Sequence, residues 1–141
     1  MAELEPMLYG LNYCVFLRVY RTQFVSDANA EWYISQALGR DTIVGGTVPV
    51  SGPEILAEVE QGLRYAGDAG SGPKPSALQT RRFGVLVPAI LAELQQAIAG
   101  ATLLTQFWLR DGHPAYPVFW DFAFVIAGQQ GGLVFIGSCS D

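Results

Sequence analysis

A chain of 141 residues with a net charge of −5 and only 15% charged side chains is long enough to bury its own core as a single domain, 1–141. It lacks the clustered Lys and Arg that nucleic acid or an anionic lipid surface demands: the eight basic residues are scattered, and Arg81-Arg82 is their only adjacent pair. Half of the side chains are hydrophobic, so the surface must either carry an apolar patch for a protein partner or a second copy, or line an internal pocket.

The start, Met1-Ala-Glu-Leu-Glu-Pro, is acidic where a secretory signal is basic, which predicts a cytoplasmic protein. Leu8–Phe24 (LYGLNYCVFLRVYRTQF) mixes aromatic and β-branched residues. Its period fits either element, and its length favours a helix. Ser26 or Asp27 is the expected N-cap of a helix Ala28–Leu38, closed by Gly39 and buried through Trp32, Ile34 and Leu38. Asp41–Val50 is split by Gly45-Gly46 and carries Pro49, which predicts a short edge strand or an extended loop.

Ser51-Gly-Pro-Glu opens a helix Pro53–Tyr65, because proline suits a first turn. Ile55, Val59 and Leu63 recur on one of its faces, with Glu54, Glu58 and Glu60 elsewhere. Residues 67–75 (GDAGSGPKP) predict a flexible surface loop. Lys74 is followed by Pro75 instead of Ser or Thr, so the loop does not match a phosphate cradle. Ser76–Ala99 reads as the longest helix, capped by Ser76, with Pro88 kinking it or beginning its second half. Strands follow at about Leu103–Leu109, Val118–Ala127 and Leu133–Ser138, the last two flanking the turn signal Gly-Gln-Gln-Gly-Gly. The expected fold is α+β, N-terminal helices packed on a C-terminal antiparallel meander of three or more strands. Gln129, Gln130 and several glycines divide the uncharged stretch Phe122–Ser140, and Pro88 and three Gln interrupt Phe83–Leu109, so no membrane span is expected.

Chemistry concentrates at the C-terminal end, where Phe107–Asp141 holds 8 of the 17 aromatic residues and the only His. Alternation along Phe119–Ile126 sends Trp120, Phe122, Phe124 and Ile126 to one face and Phe119, Asp121, Ala123 and Val125 to the other. Asp121 is thus either a pocket carboxylate or a residue on a wet sheet face. His113, in the turn Asp111-Gly-His-Pro, is the one side chain suited to general base work near neutral pH. Cys139 supplies a thiol near the C-terminus, and with His113 and Asp121 it would complete a Cys-His-Asp constellation if the three converge. Cys14 and Cys139 are too few for a disulfide scaffold or a zinc site, and no metal or cofactor is expected. They are read as buried hydrophobes, or as a redox-sensitive staple if the first and last elements pair. Trp108, Arg110, Tyr116 and Phe119 are the candidates for partner binding, since aromatic and Arg side chains anchor interfaces. The expected function is non-catalytic protein–protein interaction, of an inhibitor, immunity-like or adaptor type, with self-association included. The alternative is a small-ligand binder or hydrolase-type enzyme with a pocket near Asp121, His113 and Cys139.

Overall fold

The computed structural model describes residues 1, 3–68 and 70–140. In chain order the elements are α1 (Leu4–Met7), β1 (Gly10–Leu11), β2 (Cys14–Thr22), α2 (Ala30–Leu38), β3 (Val44–Pro49), α3 (Gly52–Leu63), β4 (Gly72–Pro73), α4 (Pro75–Leu78), α5 (Arg81–Ala99), β5 (Ala101–Leu109), β6 (Asp121–Gly128) and β7 (Gly131–Ser140). Five strands form one antiparallel sheet in the order β2-β7-β6-β5-β3, and β1 pairs separately with β4. The fold is α+β. Its C-terminal strands β5, β6 and β7 make the meander that the sequence predicts, and two strands from the N-terminal half complete the sheet.

The first of those two overturns the helix expected over Leu8–Phe24. Nine residues of it pair with β7, from Cys14 opposite Ser140 to Thr22 opposite Gly132. Tyr13, Val15 and Leu17 are buried on one side of β2, while Phe16 and Tyr20 are partly buried on the other. A strand covered on both faces carries apolar residues at both parities, which blurs the period-2 signal.

The two faces have different covers. Leu4 of α1, Ile55, Val59 and Leu63 of α3, and Phe83, Val87 and Leu94 of α5 pack with Phe122, Phe124, Ile126 and Phe135. On the opposite face α2 alone presses Ala30, Tyr33 and Ile34 against Ala123, Val125, Ala127, Val134 and Ile136. The second face of β6 is therefore not solvated beyond Asp121. With only nine residues, α2 is about 14 Å long. It leaves the start of β6 and the end of β7 to be covered by the connection 110–120.

Local chemistry explains the element boundaries. Asn29, not Ser26 or Asp27, caps α2: its side chain accepts the Trp32 amide, whereas Asp27 has φ of 64°, outside the extended region an N-cap occupies. Ser51 and Glu54 form a reciprocal capping box at α3. The predicted single helix Ser76–Ala99 is two elements, because Thr80 accepts the Phe83 amide and starts α5 afresh after the short α4. Pro88 then lies inside a continuous α5, on its exposed side, where the carbonyl left without its amide belongs to exposed Gly84 and is open to water. By length and composition α5 could cross a membrane; here its Phe83, Val87 and Leu94 lie buried against the sheet. β3 is an edge strand with a register shift between Val44 and Gly46. The β6–β7 turn closes on Gly128 opposite Gly131, and Gly131 takes φ of 127°, a conformation open to glycine.

Candidate functional site

The connection 110–120 is fastened to the sheet at both ends. Arg110 donates its amide to the Ile43 carbonyl, Val118 donates to the Cys139 carbonyl, and the Cys139 amide donates to Trp120. Between these points, fully buried Ser138 donates its hydroxyl to the Ala115 carbonyl at 3.2 Å. Ser138 faces Asp121 across the β6–β7 pair. Nothing in the local sequence around Ser138 singled it out, because its partner lies 23 residues away.

Beneath this connection lies a cavity of about 220 Å³, walled by Phe107, Leu109, Ala123 and Ile136 from the sheet and by Pro114 and Pro117 from above, with His113 and Asp121 as its charged or titratable members. Trp108 also borders it and is 52% exposed. Its indole lies over the Gly45-Gly46 pair of β3, where a Cβ at Gly46 would collide with the ring.

The structure brings His113 and Asp121 to one cavity and sends Cys139 elsewhere. On β7, Val134 and Ile136 face α2, and Phe135 and Cys139 face the other way. Cys139 is buried with Tyr13, whose hydroxyl also accepts the Trp120 indole N–H at 2.7 Å. Burial pushes the Cys139 thiol above its ordinary range, against the opposing hydrogen bond from Tyr13. Tyr13 is likewise pushed up by burial, so the pair holds its protons. A neutral, enclosed thiol is a poor nucleophile.

His113 is tied as well. Its Nδ1 accepts the Ala115 amide at 3.2 Å, which places the ring proton of the neutral form on Nε2. Nε2 is buried without a hydrogen-bond partner among the described residues, and the ring stands edge-on to Phe16 at 6.0 Å. In this arrangement the imidazole braces the connection, and neither nitrogen offers a free lone pair for proton abstraction. Asp121 is exposed and forms none of the ion pairs among the described residues.

The partner-binding candidates divide. Tyr116 is 81% exposed and Arg110 is exposed on the same connection. Phe119 turns inward, stacked on Tyr65 at 5.6 Å and tilted against Tyr13 at 5.9 Å. Glu58, which the helical pattern sets off the apolar face of α3, accepts from Gln106 Nε2 at 3.1 Å; burial first, and the charge of Asp121 second, raise its pKa. Among the described residues, no three His, Cys, Asp or Glu side chains gather as a metal site. No family model, no curated protein and no solved structure matches the chain.

Proposed function

We propose that this protein acts without catalysis, by binding a protein partner or a second copy of itself through the surface around the connection 110–120. The observation that carries this reading is the pairing of two exposed aromatics, Tyr116 on the connection and Trp108 on β5 just before it, with a small apolar cavity that Trp108 and the connection border. Large aromatic side chains beside a concave apolar pocket are the usual make-up of interface anchor points. The cavity is smaller than the roughly 300–1,000 Å³ of sites that enclose whole small-molecule ligands. It suits an inserted side chain better than a cofactor. The tied His113 and the enclosed Cys139 also favour binding over catalysis, because an enzyme needs free polar groups converging on one point. A reducing, cytoplasmic setting belongs to the same proposal, since both thiols are free.

A second reading, a small-ligand site, rests on His113 and Asp121 lining the cavity together. Sizing by light scattering, combined with affinity capture, separates the two. The interaction reading expects a complex or a dimer whose affinity falls about 30-fold or more in Trp108→Ala and Tyr116→Ala, the loss of about 2 kcal/mol that marks an anchor residue. A strict monomer that captures nothing, or capture indifferent to both substitutions, overturns it.

A further inference from the structure

We propose that the cavity under the connection 110–120 receives a basic side chain of the protein partner, its methylene stem against the apolar walls and its charged head on Asp121. The inference rests on the interaction reading above and names the group that reading requires.

Three features lead to it. The walls are apolar along their length, from Phe107 and Leu109 to Ala123 and Ile136, which suits the stem of a Lys or Arg side chain. Among the described residues Asp121 is the one acidic side chain lining the cavity, and strand alternation places it on the same face as Ala123. Its carboxylate takes part in no ion pair among the described residues, so an incoming cation displaces no internal partner. The net charge of the whole chain, −5, has the same sign. An acidic protein steers basic partners toward such a point. An aliphatic or aromatic side chain would fill the walls and leave Asp121 desolvated without compensation. An acidic one would be repelled.

The test needs no identified partner. The full isotope-labelled chain is titrated with n-butylammonium and n-butylguanidinium as side-chain mimics, and with n-butanol and butyrate as neutral and anionic controls, following backbone amide shifts. The cations are expected to move the Ala123 and Ile136 amides and to bind about tenfold or more tightly than either control. Asp121→Asn should abolish that preference and Asp121→Glu should retain it. Equal binding of butanol and the cations, no binding of any probe, or a preference that survives Asp121→Asn overturns the proposal, and the comparison of probes on the unsubstituted chain stands even if a variant misfolds. Failure of the interaction reading looks different. Cation-selective binding in a chain that captures no protein leaves the chemistry of the cavity intact and removes the protein as its source.

Discussion

Cys14 and Cys139 belong to neighbouring strands, yet they cannot bridge. Val15, not Cys14, stands opposite Cys139 in the β2–β7 register. This one-residue offset puts the thiols on opposite faces of the sheet, Cys14 exposed and Cys139 buried. The sequence leaves a staple open if the first and last elements pair; they do pair, and the register forbids the bond. Alternation along β7 likewise turns Cys139 away from Asp121, which stands opposite Ser138. Alkylation with iodoacetamide at mildly alkaline pH should therefore add one group to the native protein, at Cys14, and two after denaturation. Burial of Cys139, which raises its pKa, is expected to slow its reaction by at least about tenfold beyond exposed Cys14, since only the accessible thiolate reacts. Mass spectrometry of the two peptides reads the result directly, and equal labelling of both would contradict the assigned faces.

Helix α3 shows how one element holds two carboxylates with opposite effects on stability. Glu54 closes the capping box, and hydrogen bonds from the Ser51 side chain and backbone lower its pKa. A carboxylate whose folded value is depressed contributes stability above its unfolded value, and loses it as pH falls through the folded one. Glu58 is raised by burial and by Asp121. It keeps its proton in the folded state where the unfolded chain has released it, so stability falls as pH rises between the ordinary carboxylate range and the raised value. Glu54→Gln should then lower Tm at pH 7, with the difference shrinking in acid. Glu58→Gln should raise Tm at pH 7, because its amide oxygen still accepts from Gln106, and should make no difference below the carboxylate range. Thermal melts from pH 3 to pH 8 would show the two differences with opposite sign. The start of α3 was legible in the sequence because its signals are local: Ser51, the early proline and the four-residue spacing of Ile55, Val59 and Leu63. The same held for β6, whose alternation divides Phe122, Phe124 and Ile126 from Ala123 and Val125 as the structure does. It fails at Phe119, which precedes the strand and packs on Tyr13 and Tyr65 instead of on the Asp121 face. Local signals failed where a distant element decides the outcome. β2 reads as a helix until β7 is placed beside it, and Ser138 gains its role only when Ala115 folds back onto it.

At the scale of the whole molecule the sheet has two free edges, and each is blocked by a different device. Along β3 the irregular register near Val44 and Gly46, together with Pro49, interrupts the row of backbone groups another strand would need. Trp108 covers the glycine pair beside it. Along β2 the protection comes from α1, where Glu5 Oε2 accepts the Leu17 amide at 3.2 Å and pairs with Arg18 at 2.6 Å. That contact spans 12 residues and gives the sequence no periodic trace, which is why the acidic start reads only as an argument about targeting. The partial burial of Glu5, at 15% side-chain exposure, indicates a fixed contact. The Arg18 end of the pair is open to solvent, and ion pairs reached by water contribute about 0–1 kcal/mol to stability, so the larger consequence of removing Glu5 concerns association. Glu5→Ala uncovers the Leu17 amide on an open strand edge, and unpaired edge groups template pairing with another chain. Its weight-average mass in light scattering should rise with concentration more steeply than that of the unsubstituted chain, while the melting temperature changes by a few degrees at most. Glu5→Gln, whose amide oxygen can still accept from Leu17, should stay close to the unsubstituted chain. Matching mass profiles for all three proteins would show that Glu5 does not guard the edge.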